Sequence, residues 1–338
     1  MEFRIWWGGA LAVLALAAAP VLASDDEGDD DAESVDADES SASADAVFDF
    51  LVAELAAQRG DIEGALSIYH RMARELRDAR VAKRAVELAI RARVFGPALE
   101  SATLLLELDP SSPLAREIIS ALLASEGDIA RARDILAAAF DKNGNRAGML
   151  MQLPHLFAKF NDKAAVLEAT RQIANRYPEM PEAQYAIGVA ALIATNFEVA
   201  GAAAEAALAM RPSWDQGAIL KAQVLRKVAP DSVMGFYRDF VASHPESLEV
   251  RMQLGRELAA ERKLAEAREQ FREAEKLAVK DAQPAYAIGL LSLQLEEFGD
   301  AQGAFTRALK LGYREPAAIY LGMGQAAEGL KRFDEAIG

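Results

Sequence analysis

Residues 284–308, PAYAIGLLSLQLEEFGDAQGAFTRA, hold two short helices and the turn between them. In the second of these, the small Ala301 is followed four residues later by the bulky Phe305 and three after that by Ala308, a spacing that puts all three on one helical face. The pattern recurs along the chain. A small apolar residue occupies the same phase at Ala65, Ala98, Ala132, Val166, Ala200, Val233, Ala267, Ala301 and Ala336, in steps of 33 to 35 residues. A period near 34 built from a helix pair is a repeat architecture, in which each unit buries its apolar faces only against its neighbours.

Other positions keep the phase for packing reasons. An apolar residue is followed by glycine at Ile187-Gly188, Leu254-Gly255, Ile288-Gly289 and Met323-Gly324, where the lack of a side chain lets the two helices of a pair approach closely. Tyr69, Leu136, Tyr237, Phe271 and Phe305 plug the gaps between units, and Ala139, Ala207, Ala274 and Ala308 face the next one. Pro110, Pro178, Pro212 and Pro245 stop second helices, whereas Pro113, Pro181, Pro284 and Pro316 open first helices, where a missing N–H is harmless.

These residues resemble the tetratricopeptide repeat family over about residues 46–338. The resemblance implies an all-α, right-handed superhelical solenoid of helix-turn-helix repeats, about nine of them, the last incomplete. The fourth unit departs most, with Pro154 at the small position and Thr170 at the bulky one, which predicts a kinked or splayed pair. The sixth carries Lys221 where a small residue is expected. The ninth stops at Gly338, barely into its second helix. An unpaired final helix is expected to expose the face of Met323 and Ala327, and the sequence is read as a fragment of a longer array.

The N-terminus has a different character. Ile5 to Ala19 is a continuous apolar run ended by Pro20, with small residues at Val21 and Ala23, the layout of a secretory signal peptide over residues 1–23 with cleavage before Ser24. A retained anchor is the competing reading, because the apolar stretch approaches the shortest length that spans a bilayer. No cysteine stands at the cleavage point to take a lipid. Residues 24–45 follow as an acidic linker, expected to be unstructured because like charges and few apolar groups cannot offset the entropy of ordering.

Composition narrows the function. Formal charge is −15, but residues 25–45 hold eleven acids and no base, which leaves −4 for everything else. A nearly neutral body without a large basic face argues against nucleic acid. With no cysteine in the chain, thiolate chemistry is excluded. His70, His155 and His244 are 85 to 89 residues apart and lack metal-ligand spacing. Gly322-Met323-Gly324 has no preceding strand and falls in the helix-packing phase, and the acid pairs Glu296-Glu297 and Glu33-Asp36 have no buried setting for acid catalysis. No catalytic, cofactor or metal residues are assigned.

In the tetratricopeptide family the first helix of each repeat lines the binding face. Phase then predicts a mixed-charge patch of Phe50, Glu54, Gln58, Arg80, Lys83, Glu87 and Arg91 early in the array. It predicts a more apolar patch of Tyr185, Val189, Leu192, Met252, Arg256, Tyr286, Leu290 and Leu293 later. Some of these could instead fill the interior of a tightly wound array. Family members that clamp a terminal carboxylate use lysine, arginine and asparagine; Arg80, Lys83 and Arg84 are basic here but the asparagines are missing. An aspartate at Tyr286 is expected to abolish partner capture with helicity intact.

Residues 47–90 (VFDFLVAELAAQRGDIEGALSIYHRMARELRDARVAKRAVELAI) and 290–305 (LLSLQLEEFGDAQGAF) look like a group of proteobacterial exported repeat proteins. That group includes the lipoprotein adaptor of a carboxyl-terminal processing protease, from which this chain departs in lacking the lipid-bearing cysteine. The resemblance implies a periplasmic adaptor or scaffold that holds other proteins, such a protease and its substrates or an envelope-assembly complex, with no membrane span once the signal is removed. The alternatives are an accessory subunit in exopolysaccharide or peptidoglycan handling, for which only Tyr185 and Tyr286 offer aromatic platforms, or the N-terminal accessory part of a longer protein.

Overall fold

The computed structural model describes residues 33–331, which contain seventeen α-helices, a single 3-10 turn at Pro230–Ser232 and no strand. First helices of successive pairs are α1 (Glu33–Gln58), α3 (Ala79–Ala92), α5 (Pro113–Glu126), α7 (Arg146–Phe157), α9 (Pro181–Ile193), α11 (Asp215–Val228), α13 (Leu248–Ala260), α15 (Ala282–Gln294) and α17 (Pro316–Gly329). Second helices are α2 (Ile62–Glu75), α4 (Phe95–Leu108), α6 (Ile129–Lys142), α8 (Lys163–Ala174), α10 (Phe197–Met210), α12 (Val233–Ser243), α14 (Leu264–Leu277) and α16 (Phe298–Lys310). Two compact units divide the chain, Met1–Val52 and Ala53–Gly338. In the second unit, each helix from α2 to α16 packs on the next, and α2, α4, α5, α6, α7, α9, α11 and α15 also pack on the next but one. That nearest-neighbour arrangement is the all-α repeat solenoid expected from the sequence.

The packing positions hold. The phase-marking residues from Ala65 to Ala301 all lie in second helices and are buried, as are the plugs Tyr69, Leu136, Tyr237, Phe271 and Phe305. Glycine is required where a plug meets a first helix. A Cβ on Gly255 would stand 2.8 Å from the Phe271 ring, and the Phe305 ring lies between Gly289 and Gly322, whose added Cβ atoms would approach it to 2.6 and 2.5 Å. In the last repeat the close-packing glycine is therefore Gly322. Gly324, two residues on, is only partly buried.

Caps and turns follow the same period. Side chains of Asp61, Asp128, Asp162 and Asn196 accept backbone N–H bonds at the starts of α2, α6, α8 and α10, satisfying donors with no helical partner. Just before the second helix, one residue is left-handed: Gly60, Arg93, Gly127, Thr195, Arg262 and Glu296. A β-branched residue is strained there. Thr195→Gly is expected to stabilise the α9–α10 pair by about 0.5–1 kcal/mol, the left-handed penalty less the extra unfolded-state entropy of glycine. Amide exchange across that pair measures it.

Buried arginines add a brace invisible in the hydrophobic pattern. Arg116 and Arg251, each the fourth residue of its first helix, reach back to the Pro110 and Pro245 carbonyls at 3.2 and 2.8 Å and tie the preceding turn to the helix. Arg268 is also buried, bonding Ser292 at 3.1 Å and pairing with Glu297, so half of the Glu296-Glu297 pair serves packing.

The two irregular units differ in kind. Pro154 lies inside α7, which packs mainly on α9 and only slightly on its own partner α8, so the fourth pair is splayed as the sequence suggested. Thr170 fills the plug position by donating its hydroxyl to the Val166 carbonyl at 2.8 Å. In the sixth unit Lys221 is accommodated because its ammonium lies 5.5 Å from the centre of the Phe236 ring and 3.4 Å from Glu205.

Two expectations are corrected. Helix α1 begins at Glu33, so residues 33–45 of the expected unstructured linker are helical. Extending an existing helix adds a hydrogen bond per residue without a new nucleus, and Ala and Glu in this stretch are good helix formers. The large apolar residues that α17 exposes are Tyr320 and Leu321, whereas Ala327 is buried and Met323 packs on the core with Phe305 and Ile319. The signal-peptide reading and Ala336 lie outside the described residues.

Candidate functional site

First helices bring the expected binding residues to the surface unevenly. In the second unit α5, α7, α9, α11 and α13 pack in succession, as do α15 and α17. On α3, Lys83 and Arg91 are exposed and make no ion pair among the described residues. Arg80 is exposed but chelated by the carboxylate of Asp78, the α3 cap, at 2.7 and 3.1 Å. Further along, Arg256 and Leu290 are exposed, and Tyr185 and Val189 are half-buried. Phe50, on the Met1–Val52 unit, is 40% exposed and makes an interaction of its own.

Several predicted site residues are structural. Met252 is 8% exposed and belongs to the core with Val250, Leu254 and Leu258, because α13 is buried on two sides by its neighbours. Leu192 and Leu293 are partly buried against the cores below them. Glu54 takes two hydrogen bonds from Arg84, at 2.7 and 2.9 Å, and one from the Tyr69 hydroxyl at 2.5 Å. The Arg84 guanidinium holds the Glu54 carboxyl below its ordinary range, while burial and this carboxylate push the Tyr69 phenol upward. The network joins α1, α2 and α3. Tyr286 stacks on Tyr313 with ring centres 4.2 Å apart and leans on Phe305, so Tyr286→Asp would disturb packing as well as binding. Leu290→Asp is the cleaner probe.

Phase reasoning missed Trp214. It sits at the start of α11, 5.4 Å from Tyr185, with the Arg211 guanidinium 4.9 Å over its ring. Arg211 also bonds Glu182 at 2.8 Å. The signal was available, since Trp214 immediately precedes the first helix of the repeat after the one that carries Tyr185. The depressions between consecutive second helices had no such signal, because they depend on the angle between units. A cleft of about 310 Å³ separates α4 from α6, with Leu106 and Ile135 on its floor and Glu107, Asp134 and Lys142 at its rim. Another of about 620 Å³ opens beside α8 and α10.

Chemical groups are occupied in packing. Ser101 donates to the Pro97 carbonyl at 2.7 Å and accepts from His70 Nε2 at 2.7 Å, and burial pulls the His70 imidazole below its usual range. His244 lies against the Phe240 ring. Among the described residues no group of three or more His, Asp or Glu could hold a metal, and no helix is long and apolar enough to cross a membrane.

Residues 286–338 match the tetratricopeptide repeat family. No curated protein matches the chain. Among solved structures it is similar to the pilF protein of Pseudomonas aeruginosa, at 17% identity over 56% of this chain and 87% of that one, with a TM-score of 0.42. It is also similar to a tetratricopeptide repeat protein of Parabacteroides merdae, at 15% identity over 73% and 98% of the two chains, with a TM-score of 0.38. A MamA chain from Desulfovibrio magneticus is 18% identical over 50% of this chain and 96% of that one, with a TM-score of 0.36. At such scores none of the three bears on what this chain binds.

Proposed function

We propose that this chain is a non-catalytic scaffold that holds other proteins on the surface of its first helices. The observation that carries the reading is the repeat itself. Nearest-neighbour packing keeps unlike side chains, cationic Lys83 and Arg91 early and Tyr185, Val189, Arg256 and Leu290 later, at regular spacing along one array. An extended surface of that kind suits a peptide or helix partner more than a small substrate. The signal-like Ile5–Ala23 segment supports a periplasmic setting, and the phrases at 47–90 and 290–305 support adaptor work for a carboxyl-terminal processing protease or an envelope-assembly complex.

Affinity capture from an envelope extract with the full chain, against a Leu290→Asp/Arg256→Glu variant, tests the reading. The variant should retain helicity and lose partner capture by about tenfold or more, the effect of removing an interface anchor. Equal capture by both would move the site elsewhere. Ser24 is the expected first residue of the exported form, which mass spectrometry of the fractionated protein checks. A carbohydrate-handling role draws support from the Tyr185–Trp214 pair with Arg211 beside it. Binding of glycan fragments lost in Trp214→Ala would favour it.

A further inference from the structure

Helix α1 carries an apolar patch on the Met1–Val52 unit that the repeat does not require. Val47, Phe48 and Leu51 are 59, 66 and 55% exposed, and spacings of three and four residues put them on one side of the helix. Single exposed apolar side chains are ordinary, but a stripe at helical spacing marks a face that takes a partner helix. The sequence supplies the sign of the partner. Asp45, one helical turn before Phe48, borders the patch, and no Lys, Arg or His occurs anywhere from Ile5 to Gln58.

We propose that this patch seats a basic amphipathic helix of another protein, its apolar face on Val47, Phe48 and Leu51 and its Lys or Arg residues on the side of Asp45. A second copy of the chain is a poor occupant, because α1 carries acids and no base along its whole length, so pairing it with itself sets like charges together in either orientation. An anionic bilayer is poor for the same reason, since helices that lie on such surfaces carry Lys and Arg on the polar face. The proposal rests on the scaffold reading but uses a surface separate from Arg256 and Leu290.

The test is fluorescence anisotropy of the full chain with a labelled 18-residue leucine–lysine peptide patterned for helix, its glutamate-for-lysine twin, and a scrambled lysine peptide. The lysine peptide should bind at least about tenfold more tightly than either control and weaken as salt is raised. Phe48→Asp and the milder Phe48→Ala, both with unchanged circular dichroism, should each weaken it, the aspartate by about tenfold or more. Leu290→Asp should leave it unchanged, which separates this surface from the one that carries the scaffold reading. Equal binding by wild type and Phe48→Asp, or by the two charged peptides, overturns the proposal. A dimer in sedimentation that Phe48→Asp dissociates reassigns the patch to a second copy, and phosphatidylglycerol-vesicle binding lost in the same variant reassigns it to a membrane.

Discussion

Phe305→Ala destabilises the α15–α17 end of the array by about 3–5 kcal/mol, the usual cost of emptying a large buried aromatic site. Phe305 is fully buried, and its ring is the contact by which α16 meets both neighbouring first helices. Gly289 and Gly322 offer backbone and no side chain to fill the void, so the site collapses poorly. The complementary change, Gly322→Val, places branched carbons where a Cβ alone would approach the ring to 2.5 Å and should be comparably damaging. Since a repeat array does not unfold as one unit, amide exchange is the proper readout. Exchange should accelerate across α15, α16 and α17 and stay unchanged in α2 to α6; uniform acceleration would refute the nearest-neighbour account.

Glu54→Leu destabilises the first pairs by about 2–4 kcal/mol, because it strips a charge-assisted partner from Arg84 and leaves the Tyr69 hydroxyl without an acceptor in a buried site. Tyr69→Phe alone should cost about 1 kcal/mol, and the double variant should be less unstable than the sum because one change removes the other's orphan. The pH dependence has a definite sign. Arg84 holds Glu54 below the ordinary 4.5, so the folded chain binds fewer protons than the unfolded one, and this stabilisation is present above that value and lost below it. His70, lowered from 6.5 by burial, acts in the same direction at higher pH, since the unfolded chain takes up a proton that the folded chain resists. Thermal melts should therefore be level from pH 6.5 up towards the ordinary tyrosine value of 10.0, decline gently below 6.5 and fall steeply below 4.5. His70→Gln should remove the gentle decline, and Glu54→Gln should lessen the steep one.

Positions governed by packing were legible in the sequence because packing repeats. Ala65 through Ala301, the five plugs and the splayed fourth pair follow from side-chain size at a fixed period. Surface roles were less legible. Helical phase says which side of a helix a residue occupies, but not whether a neighbour covers it, and so Met252 sinks into the core while Leu290 on a later first helix does not. Polar partners from other units are the second blind spot. Tyr69 is 15 residues from Glu54, Arg84 is 30 from it, and Tyr313 lies beyond the helix pair that holds Tyr286, so only the folded chain reveals that these candidates already serve each other.

Packing confined to near neighbours also governs how the array yields to force. Because the helices from α2 to α17 pack chiefly on those one or two places along, tension applied at the ends would be relieved one helix pair at a time. Each event would free about 34 residues, roughly 110–120 Å of extended chain, in a sawtooth of similar rips. The earliest rip should fall at the splayed α7–α8 pair, where the two helices hold each other least. Such an array would act as a graded spring between whatever is bound along it.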